Sequence, residues 1–166
     1  MLRYMSRLAP RGIYASGKSS SAAGLCISPD SLISVNDSPV QIGEFVEKHM
    51  HCPVEIREAQ WIEKIPENYL IGSVIEGKKV HQKLDAIWKI KTPLFLMELE
   101  ESAGHKIRLT SETKIMVCGD DEWCCAADVK VGTKIPFLDP ESNELSTSAI
   151  ISVNKVCDDL PEYVYD

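Results

Sequence analysis

Residues 26–45 read Cys-Ile-Ser-Pro-Asp-Ser-Leu-Ile-Ser-Val-Asn-Asp-Ser-Pro-Val-Gln-Ile-Gly-Glu-Phe, and this stretch decides the fold. Leu32, Ile33 and Val35 make a short apolar strand, and Asn36-Asp37-Ser38-Pro39 is strong turn chemistry. Ser38-Pro39-Val40-Gln41 has the form of a capping box with proline at the first helical position. Ile42, Phe45, Val46 and His49 then recur at helical spacing, which predicts a helix of about ten residues.

Toward the C-terminus the period changes from helical to extended. Short strands are expected at 70–75, 80–90, 94–100, 106–109, 114–118, 134–137 and 149–156. Turn signals such as Glu76-Gly77-Lys78 and Gly119-Asp120-Asp121 separate them. Residues 53–68 fit neither period, and offer Ile56, Trp61, Ile62 and Ile65 as anchors. Many short strands, scattered glycines and one helix predict an all-β fold.

Toward the N-terminus the composition breaks. Residues 1–25 carry Arg3, Arg7, Arg11 and Lys18 and no acid, although the whole chain has a net charge of -7. The break divides the chain into 1–25 and 26–166, and Cys26 stands on it. The overall acidity argues against a general nucleic-acid binder, which needs a basic face. At 166 residues and 44% hydrophobic the chain can bury a core, and no apolar run is long enough to cross a membrane.

The basic segment invites two readings. Its Arg- and Ser-rich composition is that of a mitochondrial presequence. Gly12-Ile-Tyr-Ala-Ser-Gly17-Lys18-Ser19 matches the P-loop pattern letter for letter. A P-loop, however, needs a buried strand before its first glycine and a helix from its lysine. Here a helix-prone stretch broken by Pro10 precedes Gly12, and a Ser-Ala-Gly run follows Lys18.

The six cysteines form no C-x-x-C pair, and no secretory signal or disulfide framework is visible, so a cytoplasmic setting with reduced thiols is expected. His49-Met-His51-Cys52 holds metal-type ligands, but they lack a distant fourth, and solvated histidines at a helix end are the favoured reading. No metal or cofactor is expected.

Two resemblances bring these readings together. Residues 1–25, MLRYMSRLAPRGIYASGKSSSAAGL, resemble the stretch just after Walker A in archaeal minichromosome-maintenance (MCM) helicases. Cys26 stands where that family continues with threonine. Residues 26–166 resemble the Hint fold of inteins and hedgehog autoprocessing domains. CISPDSLISVNDSPVQIGEF is similar to the first block of that family, GHKIRLTSETKIMVCGDDEWCCAADVKVGTKI to its second, and CDDLPEYVYD to the opening of its last. The resemblance implies a mini-intein interrupting an MCM helicase, with residues 1–25 as an N-extein piece.

It also implies roles. Cys26 would attack the carbonyl of Leu25 in an N-to-S acyl shift, since a thiol is nucleophilic and partly ionised near neutrality. Thr110 matches the threonine of the T-x-x-H motif and would steady the oxyanion. Thr113 stands where that motif has histidine, and a hydroxyl does not titrate near neutral pH, so a slow or conditional first step is expected. Asp166 matches an acid that assists the shift. Trp123 is expected in the core, with one of Cys124 and Cys125 facing inward.

The resemblance implies as partners the flanking extein and a C-terminal intein piece that would supply the missing His-Asn. The host helicase would bind DNA and ATP, and no membrane is involved. The alternative is a fragment of an ATP-dependent MCM helicase in which the all-β domain is inert.

Overall fold

The structure, a computed structural model, describes residues 26–65, 68–75, 78–118, 123–138 and 144–166. The segment 1–25, with its P-loop pattern and Leu25, lies outside the described residues, as do the turns at 76–77 and 119–121.

The first stretch folds as a hairpin and a helix. Strand β1 (Leu32–Val35) pairs with β2 (Ser38–Gln41), and Val35 faces Ser38. The turn residues Asn36 and Asp37 both take positive φ, 49° and 62°. That two-residue geometry matches the twist of the flanking strands and closes a tight hairpin. The capping box expected at 38–41 is therefore strand: once Asn36-Asp37 closes the hairpin, Ser38 must pair with Val35. Pro39 is tolerated because β2 is an edge strand. Helix α1 (Ile42–His49) follows without a side-chain cap and buries Ile42, Gly43, Phe45 and Val46.

The strands β3 (Val54–Arg57) and β4 (Gln60–Lys64) fill the segment whose period was ambiguous. Its ambiguity has a cause: all of β3 is exposed, Ile56 included, so no buried face imposes alternation. Next come β5 (Leu70–Ile75), β6 (Lys78–Lys83) and β7 (Ala86–Lys91). The single strand expected at 80–90 is thus two. The chain leaves one sheet and joins another at Leu84-Asp85, where Leu84 N–H donates to Tyr69 and Ile65 N–H donates to Asp85. Periodicity alone does not reveal such a corner, because apolar residues recur on both sides of it, from Val80 to Leu84 and from Ala86 to Ile90.

The remaining strands are β8 (Leu96–Glu101), β9 (Lys106–Leu109), β10 (Lys114–Met116), β11 (Trp123–Cys125), β12 (Lys134–Leu138), β13 (Leu145–Val156) and β14 (Tyr163–Tyr165). β13 begins earlier than expected. It pairs with β12 through its first half and with β8 through its second, with a bulge between Ile150 and Ser152. Among the described residues the architecture is all-β with one short α-helix, as the sequence predicts, and a single 3-10 turn at Ala126–Asp128.

One sheet runs β12-β13-β8-β9 and another β14-β7-β4-β3. Residues 26–28 join them. Ile27 bridges Leu109 on one side and Tyr165 on the other, so the two sheets become one continuous ribbon with Cys26 near its middle. A further sheet, β2-β1-β5-β6, and the β10-β11 hairpin complete the structure. The main core gathers Ile71, Ile87, Leu99, Leu109, Ile115, Ile135 and Ile150, all nearly solvent-free. Each such side chain contributes about 1.5–3 kcal/mol by leaving water. Cys26, Ile90, Leu96 and Val164 form a second, smaller cluster. Among the described residues no helix is long and apolar enough to cross a membrane.

Candidate functional site

The site is built on the short strand at Cys26. Ile27 exchanges both backbone hydrogen bonds with Tyr165, at 3.0 and 2.9 Å. Continued by one residue, this antiparallel register sets Cys26 across from Asp166 as a non-hydrogen-bonded pair, whose Cα atoms typically lie about 4.5 Å apart. On the other side Thr110 N–H donates to the Cys26 carbonyl at 2.9 Å, and Ser28 N–H donates to Arg108 at 2.8 Å. Cys26 is thereby held between Thr110 and Asp166. Its residue is fully buried, and its thiol is in no disulfide.

Thr110 and Thr113 are brought together by the tight turn between β9 and β10. Thr113 N–H donates to the Thr110 carbonyl at 3.1 Å, and the two hydroxyls lie 2.9 Å apart. The Thr113 hydroxyl also donates to the Cys26 carbonyl at 3.5 Å, the long limit of a hydrogen bond. With that bond made, the Thr110 hydroxyl must be the donor to Thr113. Both threonines are buried, Thr113 completely. What these groups hold is the carbonyl of Cys26 itself, one peptide beyond the Leu25 carbonyl; Leu25 lies outside the described residues.

Asp166 presents the sharpest electrostatic feature. Its backbone pairs with Trp88 of β7, at 2.7 and 3.2 Å, and part of the residue keeps contact with solvent. Within the carboxyl, Oδ2 is buried with no hydrogen-bond partner. Burial pushes the carboxyl well above the usual carboxylate range, because a charge there would lose its water and gain no partner. Burial therefore favours the protonated form of Asp166, the form with a proton to give.

All four residues singled out from the sequence, Cys26, Thr110, Thr113 and Asp166, fall in this one place. Others fall elsewhere. His49 is not solvated: its Nδ1 lies 2.7 Å from the Phe45 carbonyl and its Nε2 2.9 Å from the Tyr69 hydroxyl. Trp123 is half-buried outside the main core and lines a cavity of about 380 Å³ with Lys114, Cys124 and Cys125. Cys124 packs against the core, while the Lys114 ammonium donates to the Cys125 sulfur at 2.8 Å.

Sequence reasoning missed Glu101 and Ser148. Glu101 is buried with its carboxylate fully engaged, by the Ser148 hydroxyl, by Ala103 N–H at 2.7 Å and by His105 N–H at 3.0 Å. His105 Nδ1 adds a contact at 2.6 Å. A glutamate ending an apolar strand beside Ser-Ala-Gly-His was the available signal.

No protein-family model matches the chain. Reverse gyrase from Pyrococcus horikoshii is 28% identical over 120 residues, which are 70% of this chain and 6% of that protein. The chain thus spans a small fraction of the length of this curated relative. The crystal structure of TvoVMA intein superposes with a TM-score of 0.74 at 19% identity, covering 87% of each chain. That of PabCDC21-1 intein gives 0.74 at 18% identity, covering 88% of this chain and 89% of that one. A DnaB intein from Synechocystis sp. PCC 6803 gives 0.61 at 21% identity, covering 85% and 84%. The fold is the Hint fold.

Proposed function

We propose that residues 26–166 are an autoprocessing domain that acts once, on the Leu25–Cys26 peptide bond of its own chain. One observation carries this reading: the register that sets Cys26 between paired threonines and an aspartate with a buried, unpartnered oxygen. The likeness of the fold to several inteins supports it.

The chemistry follows from the residues. The Cys26 sulfur attacks the Leu25 carbonyl carbon, a carbon–sulfur bond forms, and the carbon–nitrogen bond breaks. The departing nitrogen is a poor leaving group unless it takes a proton as it goes. Asp166 lies across from that residue, and burial favours its protonated form. Thr110 and Thr113 hold the Cys26 carbonyl, which fixes the orientation of the nucleophile against the bond. Thr113 can hold but not titrate, so the proton transfers fall to Asp166 and to water. A slow first step follows.

In the same reading residues 1–25 are the N-extein of an MCM helicase precursor. This part rests on their wording alone. DNA and ATP would be ligands of that host. Full splicing would further require a segment bearing His-Asn after Asp166, either in the same chain or on a partner piece. Reduced thiols and a cytoplasmic setting suit the use of Cys26 as a nucleophile.

Incubating the full chain with dithiothreitol or hydroxylamine tests the proposal. Attack on a Leu25 thioester should release residues 1–25 from residues 26–166, seen by mass spectrometry, and Cys26→Ala should abolish the cut. An uncut chain, with a His-Asn tail supplied as well as without it, would leave an inert Hint domain.

A further inference from the structure

The two strands that carry the reacting pair are very short. Cys26 sits on a three-residue segment, and β14 has three residues. Strands of this length fray unless neighbours hold them. Helix α1 is bonded both to β14 and to the chain that directly follows the Cys26 segment.

The start of α1 is bonded to the chain just beyond Cys26. Gly43 N–H donates to the Pro29 carbonyl at 3.0 Å, and Ile42 N–H donates to Ser31 at 2.9 Å. Gly43 lies so close that a Cβ there would come within 2.6 Å of the Pro29 Cβ and 3.0 Å of its Cα and carbonyl oxygen. Near its end the helix is bonded to β14. Glu47 Oε1 accepts from the Tyr165 hydroxyl at 2.7 Å and from the Lys89 ammonium at 2.7 Å. Lys89 faces Tyr165 across the β7–β14 pair, and its ammonium lies 4.2 Å from the centre of the Tyr163 ring.

The protonation states favour this arrangement. Burial alone would raise the Glu47 carboxyl, but the bonds from Lys89 and Tyr165 outweigh it and hold it below the usual range. Burial first, and then the Glu47 carboxylate, push the Tyr165 phenol far up, so it stays a donor. Tyr165 is the residue that exchanges both backbone bonds with Ile27, and it directly precedes Asp166.

We infer that α1 is a brace that sets the register of Cys26 against Asp166, with Gly43 and Glu47 as positioning residues for the acyl shift. The inference rests on the reading of Cys26 and Asp166 as the reacting pair. An exposed carboxylate–lysine pair by itself is worth little. What distinguishes Glu47 is that its other partner is a buried phenol on the strand that must not slip.

Two measurements test the brace. The first is the rate of dithiothreitol cleavage of the full chain, well below each variant's unfolding temperature. Glu47→Ala and Tyr165→Phe should each slow it five- to twentyfold, and the double variant should be no slower than either single one. Glu47→Gln, whose amide oxygen still accepts from the phenol, should stay within about twofold of wild type. Gly43→Ala should slow it about a hundredfold where it folds, since Pro29 must move. The second is hydrogen exchange of the Ile27 and Tyr165 amides in a Cys26→Ala background, where no cleavage intervenes. Glu47→Ala should cost these amides about tenfold in protection, with Leu99 unchanged, and Glu47→Gln should restore it. Unchanged protection, a Glu47→Gln as slow as Glu47→Ala, or independent effects of Glu47 and Tyr165 would each overturn the brace. The exchange measurement does so even in a chain that never cleaves, which separates this failure from failure of the proposed chemistry.

Discussion

Two buried carboxyl groups in this protein have opposite surroundings. Glu101, at the end of β8, meets a serine hydroxyl, two backbone N–H groups and a histidine. Burial alone would raise it, yet these hydrogen bonds hold it ionised and below the usual range. Asp166, at the end of β14, has a buried oxygen with no partner, and burial raises it with nothing to oppose. A satisfied carboxylate stabilises the fold and has little left to donate. An unsatisfied one costs stability and keeps a proton where a leaving nitrogen could take it.

Substitution at Asp166 should have the largest effect and the clearest contrast. Asp166→Asn removes the proton donor, and thiol-induced cleavage should slow by about 10²- to 10³-fold. Stability should move the other way. Because the folded pKa lies above the unfolded one, the unfolded chain binds fewer protons between the two values, and wild-type stability falls as pH rises through that window. Asp166→Asn should therefore be more stable than wild type at neutral pH, with the gain vanishing below the ordinary aspartate range. Urea midpoints across pH read this directly. Cleavage at the wild-type rate would remove Asp166 from the chemistry.

Glu101→Gln should do the reverse. It should cost about 2 kcal/mol of stability at neutral pH, because the Ala103 and His105 donors lose a charged acceptor. The sign is opposite too: a lowered folded pKa gives stability that is present above the ordinary glutamate range and lost as pH falls through the folded value. Cleavage in folded protein should be unchanged. A rate loss as large as that of Asp166→Asn would break the division between the two sites.

Thr113 gives the smallest expected change. Thr113→Val keeps its shape but leaves the Thr110 hydroxyl without its acceptor, and should slow cleavage about tenfold. Thr113→Ser should restore the rate. From sequence, Thr113→His should speed the shift by returning an imidazole. The complete burial of Thr113 adds a cost of about 1–3 kcal/mol for overpacking, to be read in the same unfolding experiment.

The residues of the proposed site were legible in the sequence, but the contrast with Glu101 was not. Cys26 was marked by the charge break, and Thr110, Thr113 and Asp166 by the resemblance of two blocks. Spacing alone would have read both threonines as ordinary strand residues. Glu101 had a local signal in the turn through Ala103 and His105, but its burial and its bond from Ser148, 47 residues on, come only with the pairing of β8 and β13. The same limit explains the strands. Where one face is buried, as along Met97–Glu101 of β8, alternation betrayed the strand; β3 has no buried face, and β14 is too short to show a period.

The sequence by itself determined the class of the fold, the seam at Cys26, helix α1 and the four residues of the proposed site. These are local matters of composition, turn chemistry and wording. Only the tertiary structure decided that Ser38–Gln41 is strand, that the chain turns a corner at Leu84-Asp85, and that residues 26–28 join two sheets into one ribbon. It alone decided that burial pushes the Asp166 carboxyl up while hydrogen bonds hold the Glu101 carboxyl down. The reason is physical: a carboxyl takes its charge from the groups around it, and those groups are gathered by pairing between strands far apart in the chain.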